Sequence, residues 1–310
     1  MLEPLEHLRK SLAGRYEIQE ELGHGGMATV FLAKDLRHPR SVAVKVVSAA
    51  GESSSATRRF KREIEVAAGL AHPHIVPLLD SGTAGPYSFF VMPLVEGETL
   101  RDRLTANGPL DLSEALAILD DVGRALDYAH REGVAHRDVK PENILLTSGE
   151  ALVTDFGIAS VIESETDTTL TDPGKPLGTV AYMSPEQLTG KADLDARTDI
   201  YALGCVAYEM LTGSPPYSGP GAAAVMAGHL YGPIPSTETV RSEVPRPIAS
   251  TIQRALAKEP EARQDSVREF LEELTEGSHP YQALRRGPGD PRRKIMVALT
   301  VLLAIAGVLA

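Results

Sequence analysis

His136-Arg137-Asp138-Val139-Lys140-Pro141-Glu142-Asn143 is the stretch on which the reading of this chain turns. It gathers a carboxylate, an ammonium and a carboxamide into a short polar loop. A phosphoryl-transfer site needs a carboxylate to orient and deprotonate an attacking hydroxyl. It also needs a cation beside the transferring phosphate and an amide oxygen on a divalent metal. Asp138, Lys140 and Asn143 are the residue types for those three tasks. Further along, Asp155-Phe156-Gly157 offers a second carboxylate for a metal.

Upstream, Tyr16 to Glu21 alternates weakly and breaks at Gly23. Gly23-His24-Gly25-Gly26-Met27-Ala28-Thr29-Val30 then forms a glycine-rich turn. Glycines let backbone N–H groups approach phosphate oxygens closely. The turn runs into Val30-Phe31-Leu32-Ala33, a strand rather than a helix, which excludes the dinucleotide-binding arrangement. Val42-Ala43-Val44-Lys45 is an apolar strand that ends in a lysine. Residues 58–70 carry Phe60, Ile64, Ala67, Ala68 and Leu70 at helical spacing, with Glu63 and Glu65 on the same segment. Leu2, Leu5, Leu8 and Leu12 predict a short N-terminal helix. Residues 77–94 predict two strands around an Asp80–Pro86 turn. Residues 100–104, 112–131 and 199–211 predict helices, residues 213–221 a Pro/Gly loop, and residues 247–274 two further helices.

These motifs, in this order, make the chain similar to the protein kinases, and Lys140 places the similarity with the serine/threonine branch. The glycine loop, with Gly26-Met27, resembles that of bacterial members. The third glycine of the family pattern is Ala28 here. The resemblance implies an α+β, two-lobed fold: an antiparallel sheet with one helix in the N-lobe and a mainly helical C-lobe. It implies ATP with Mg²⁺ or Mn²⁺ and protein substrates carrying Ser or Thr. Asp138 would be the catalytic base, Lys140 the phosphate cation, and Asn143 and Asp155 the metal ligands. Lys45, paired with Glu63, would align the phosphates. Leu22, Gly23, Gly25, Gly26, Val30, Ala43, Met92, Pro93, Val95 and Leu145 would surround the nucleotide. At the hinge Pro93 keeps its carbonyl while lacking an N–H, and Val95 would supply that donor. The Thr-rich stretch before Ser184-Pro185-Glu186 resembles an activation segment, with Thr169 and Thr171 as autophosphorylation sites facing Arg137. Thr179 would steady the catalytic loop, Asp199 would hold its backbone, and Arg263 would pair with Glu186. Autophosphorylation in trans would call for a homodimer.

The implied domains are a lead-in at 1–15 and a kinase domain at 16–276, divided into an N-lobe (16–92), hinge (93–97) and C-lobe (98–276). A basic linker (277–294) and a membrane-spanning helix (295–310) follow. That last run is apolar apart from Thr300 and follows Arg292-Arg293-Lys294, which predicts a single-pass cell-membrane protein with a cytoplasmic kinase domain. A net charge of -11 over 310 residues argues against nucleic acid as a partner. The single cysteine, Cys205, rules out an internal disulfide and sits in an apolar helical run. His72, His74 and His130 lack neighbours at metal-ligand spacing. The rival readings are a pseudokinase scaffold that binds partners without catalysis and a small-molecule kinase of related fold. The presence of Lys45, Asp138 and Asp155 speaks against the first. The Ser184-Pro185-Glu186 motif with Arg263 speaks against the second.

Overall fold

The computed structural model describes residues 2–24, 28–48, 66–156, 180–191 and 194–285. Helix α1 (Leu2–Leu12) precedes the strands β1 (Tyr16–His24), β2 (Ala28–Asp35), β3 (Arg40–Ser48), β4 (Asp80–Ala84) and β5 (Tyr87–Pro93). The five strands form one antiparallel sheet in the order β1-β2-β3-β5-β4. Strand periodicity decides its two faces. Val42, Val44 and Val46 pair with residues such as Ala33, Phe31, Val91 and Phe89, and this face is closed by Leu8 and Leu12 of α1. Both leucines are fully buried, worth about 1.5–3 kcal/mol each relative to exposure. Alternation sends Ala43 and Lys45 to the opposite face, opposite Met92 and Phe90. Thus α1 is part of the N-lobe core rather than a loose lead-in, as its leucine spacing allows.

The second lobe opens with β6 (Glu98–Thr99), which pairs with β7 (Ile144–Leu146) and through it with β8 (Ala151–Val153). Helix α2 (Leu100–Asn107) begins at Thr99, whose hydroxyl accepts the Asp102 N–H while the Asp102 carboxylate accepts the Thr99 N–H. This reciprocal cap fixes its first turn. Helix α3 (Leu112–Arg131) lays an apolar stripe including Leu119, Val122 and Leu126 into the core. A short α4 (Pro185–Leu188) is followed by α5 (Arg197–Thr212), buried from Thr198 through Leu211. Then come α6 (Ala222–Tyr231), α7 (Thr237–Val240), α8 (Arg246–Ala255) and α9 (Val267–Arg285). The core packs around α5, and a Cβ added at Gly204 would lie 3.0 Å from the Ala255 Cβ. That close approach of α8 is why a glycine stands inside α5.

Several elements differ from the sequence expectation: β6, β8, α4 and α7 were not foreseen, and β4 occupies Asp80–Ala84, most of the expected Asp80–Pro86 turn. Helix α6 was not foreseen behind the Pro/Gly loop. Helix α9 continues to Arg285, into the stretch read as linker. Gly277 explains part of this continuation: a Cβ there would lie 3.0 Å from the Pro247 Cβ. Gly277, the first residue of the stretch read as linker, is where α9 rests on the start of α8. Cys205 is fully buried, and burial pushes its thiol well above the ordinary range. Most of the helix expected over 58–70, including Glu63, lies outside the described residues. So do Gly25, Gly26, Thr169, Thr171, Thr179 and residues 295–310. Among the described residues no helix is long and apolar enough to cross a membrane.

Candidate active site

Helix α3 ends at Arg131, and Gly133 at φ +79° turns the chain toward the polar loop. His136 is fully buried. Its Nδ1 accepts the Asp138 N–H at 3.2 Å, so Nε2 carries the proton and donates to the Thr154 carbonyl at 2.8 Å. Its ring meets Phe156 edge-on at 4.6 Å. Lys140 Nζ lies 2.9 and 2.7 Å from the two Asp138 carboxylate oxygens. Asn143 Nδ2 donates to Asp138 Oδ2 at 3.0 Å and to the Asp138 carbonyl at 2.8 Å. A 3-10 turn over Pro141–Asn143 makes this fold-back local. The three side chains picked out from the sequence therefore meet on one carboxylate.

Asp155 follows β8 at φ +68°, and Arg137 sits at φ +65°. Among the described residues these are the only non-glycine positions with positive φ. Such backbone is costly and persists only where its surroundings over-determine it. Lys45 Nζ, from β3, lies 2.6 Å from Asp155 Oδ2. Asp155 is thus the described partner of Lys45; Glu63, the partner expected from the sequence, lies outside the described residues. Asp155 Oδ1 is buried with no hydrogen-bond partner. The amide nitrogen of Asn143 is committed to Asp138, which leaves its oxygen as the acceptor. Two oxygen donors with an orphaned carboxylate oxygen suit a hard divalent cation, and Mg²⁺ commonly takes only one or two carboxylates beside substrate phosphates.

The residues expected around a nucleotide are dispersed along the sheet and the crossing between lobes. Gly23 pairs with Val30 across β1 and β2, while Leu22 is exposed. Ala43 pairs with Met92, whose sulfur accepts the Thr154 hydroxyl at 3.7 Å. Pro93 ends β5, Val95 lies in the crossing that follows, and Leu145 sits on β7 against Thr99.

The surroundings fix the loop from behind. Asp199 on α5 is fully buried and accepts the N–H groups of His136 and Arg137, each at 2.7 Å. It also bonds His130 Nε2 at 2.7 Å. Burial alone would raise its carboxyl, but the hydrogen bond and charge of His130 and the His136 N–H hold it below the ordinary range. Arg263, also buried, donates to Glu186 Oε1 and Oε2 at 2.7 and 2.8 Å. Its remaining N–H groups reach the carbonyls of Ala257, Arg197 and Lys258, so every donor of the guanidinium is used. Gln187 caps α4 with its oxygen and donates Nε2 to the Arg137 carbonyl at 2.8 Å. Gln187 was not singled out from the sequence, and His130 was read there only as lacking a metal-ligand neighbour. His130 lies in the last turn of a helix that runs into the loop, but nothing in the sequence reveals its partner on α5.

Residues 16–276 match the protein kinase domain family, and the chain belongs to that family. Among curated relatives, serine/threonine-protein kinase PknB of Mycolicibacterium smegmatis is 42% identical over 270 residues, covering 85% of this chain and 43% of the relative. Serine/threonine-protein kinase PrkC of Bacillus subtilis is 40% identical over 263 residues, covering 84% of this chain and 40% of the relative. Serine/threonine-protein kinase PknH of Mycobacterium bovis is 42% identical over 259 residues, covering 83% and 43%. The chain spans about two fifths of the length of these relatives.

Proposed function

We propose that this chain transfers the γ-phosphoryl group of ATP to serine and threonine hydroxyls of proteins. The observation that carries the reading is the meeting of Lys140 and Asn143 on Asp138, together with the Lys45–Asp155 pair, whose carboxylate follows the same loop in the chain. The names of the relatives point the same way. In this reading Asp138 orients the acceptor hydroxyl and takes its proton as the oxygen bonds to the γ-phosphorus and ADP leaves. Lys140 offsets negative charge on the transferring group. Lys45 holds the α- and β-phosphates, with Glu63 as its partner in that state. Leu22, Gly23, Gly25, Gly26, Val30, Ala43, Met92 and Leu145 enclose the nucleotide, with Pro93 and Val95 facing its base. Asn143 and Asp155 would hold Mg²⁺ or Mn²⁺, which would neutralise phosphate charge. Trans-autophosphorylation of Thr169 and Thr171 within a transient homodimer would regulate the site.

The test is label transfer from ATP with the full chain. Asp138→Asn should lower the rate by about 10²- to 10⁴-fold while nucleotide binding persists. Mass spectrometry should place autophosphorylation on Thr169 and Thr171. A wild-type rate from Asp138→Asn would overturn the catalytic assignment, and an active preparation with both threonines bare would overturn the regulatory one.

We further propose that residues 295–310 anchor the chain in the cell membrane, with the kinase domain cytoplasmic. The apolar run and the preceding Arg292, Arg293 and Lys294 support this. The full chain should stay with membranes through carbonate extraction, and release into the soluble fraction would refute the anchor.

A further inference from the structure

His74 stands beside β8, the strand that runs toward Asp155, and Ile75 forms a parallel bridge with Val153. The His74 carbonyl accepts the Val153 N–H at 2.9 Å, and the Val76 N–H donates to the Val153 carbonyl at 2.9 Å. The His74 side chain reaches the start of the same strand. Its Nδ1 lies 3.0 Å from the Ala151 carbonyl oxygen, and its Nε2 lies 3.5 Å from Asp121 Oδ1 on α3. Asp121 Oδ2 in turn accepts the Ala151 N–H at 2.9 Å. One histidine and one aspartate thus take both polar groups of the Ala151 backbone. Their side chains are 15% and 21% exposed, so water screens the pair only in part.

Both His74 nitrogens face oxygens that can only accept. A neutral imidazole has one N–H and one bare lone pair, so it can donate to only one of them. The ring with both nitrogens protonated donates to Ala151 and sets a positive charge beside the Asp121 carboxylate. His72, on the same turn, is held differently. Its Nδ1 accepts the His74 N–H at 3.2 Å, which leaves the proton of a neutral ring on Nε2. Burial holds His72 below the ordinary range, and His74, Arg131 and Arg124 push it the same way. Its ring stacks on Tyr128 of α3 at 5.2 Å and meets the His74 ring at 5.6 Å. Glu150, beside Ala151, is exposed. Among the described residues, Asp121 is the acidic side chain within ion-pair distance of His74.

We propose that His74 is a positioning residue for phosphoryl transfer: with both ring nitrogens protonated it seats β8 against α3, and so sets Asp155 for the divalent cation. The inference rests on the kinase reading above. Asp155 stands two residues past Val153, and its Oδ1 is buried and unpartnered. A small slide of β8 moves that oxygen. On its other edge β8 pairs with β7, so the histidine trims the strand's position rather than forming it. The sign follows from the proton. The contact with Asp121 is favourable while His74 is charged, and it is lost as pH rises through the ordinary histidine range, about 6.5. The cation should then be held less tightly.

The test compares wild type with His74→Asn, which keeps a donor for the Ala151 carbonyl but never carries a charge. Two quantities are read on the full chain at about pH 6 and pH 8.5, either side of that range. One is the Mg²⁺ concentration for half-maximal rate, with saturating ATP and a synthetic peptide covering residues 163–177. The other is amide hydrogen exchange of residues 150–156, followed by mass spectrometry without nucleotide. Comparing the two proteins at one pH cancels the titration of ATP, of Asp138 and of exchange chemistry. At the lower pH, His74→Asn should need about threefold more Mg²⁺ and exchange about threefold faster, the scale of one partly screened ion pair. At the higher pH the two proteins should agree in both readouts, and KM for the peptide should not differ at either. A difference that is the same at both pH values overturns the role of the second proton. Equal Mg²⁺ requirements at the lower pH, beside unequal exchange, overturn the link to Asp155. Should His74→Asn fail to fold, Asp121→Asn carries the same comparison with the same expected and overturning results, because its amide oxygen still accepts the Ala151 N–H. A wild type that transfers no label from ATP overturns the kinase reading and the catalytic part of this inference, while hydrogen exchange still decides whether His74 seats the strand.

Discussion

The Asp199 carboxylate accepts the backbone N–H of Arg137 at 2.7 Å, and Arg137 is held at φ +65°. A buried side chain of α5 thus sets an unfavourable backbone conformation directly beside Asp138. Asp199→Asn keeps the volume but turns one acceptor into a donor that must face an N–H group or His130. Misplacement on the scale of an ångström costs about 10²-fold in rate. The expected outcome is a kcat lower by about that factor with near-native circular dichroism, measured on the full chain with Mg²⁺-ATP. Wild-type kcat in Asp199→Asn would contradict the role given to it.

The Arg263–Glu186 pair makes stability depend on acid. Burial alone would raise the Glu186 carboxyl, but hydrogen bonds and charge from Arg263 hold it below 4.5 in the folded state. Its contribution is therefore complete above about 4.5, the ordinary value, and is lost as pH falls through the lower folded value. Urea unfolding between pH 7 and pH 3 should show wild type losing stability below that point more steeply than Glu186→Gln. At neutral pH, Glu186→Gln should cost about 3–5 kcal/mol, because it leaves the buried Arg263 charge unpaired. Parallel pH profiles for the two proteins would refute the assignment.

The sheet face covered by α1 gives a third expectation. Leu8→Ala or Leu12→Ala should each cost about 2–5 kcal/mol by emptying a fully buried site. Gly85→Ala should also destabilise, because φ is +62° there and a Cβ would come within 2.7 Å of His7 Nδ1. Thermal melts of the full chain measure both. Unchanged melting of the leucine variants would mean that α1 does not belong to the core in solution.

The strands β2, β3 and β5 and the helices α3 and α5 were legible from apolar runs and helical spacing, whereas β6 and β8 are too short to show a period. The trio of Asp138, Lys140 and Asn143 was legible because it is local, closed by one 3-10 turn. Asp199 and the Glu186–Arg263 pair were legible only through resemblance, since nothing in their own spacing names a distant partner. The extension of α9 was missed because residues 277–294, rich in Gly, Pro and charge, read as a linker. The lack of a side chain at Gly277 instead lets α9 rest against Pro247.

Lys45 and Asp155 bring one consequence for how ATP would arrive. The ammonium and one carboxylate oxygen already engage each other across the two lobes, with side chains only 18% and 10% exposed, while Asp155 Oδ1 stays without a partner. Phosphates reaching Lys45 would therefore meet a cation that is already engaged. Binding of nucleotide would then be an exchange of partners at Lys45, while a cation could add to the unpartnered Oδ1. The pair would work as a latch, giving up its internal bond when both incoming charges are present together. Nucleotide without a divalent cation would free the lysine and strand the aspartate, so affinity for ATP and affinity for the cation should each rise in the presence of the other.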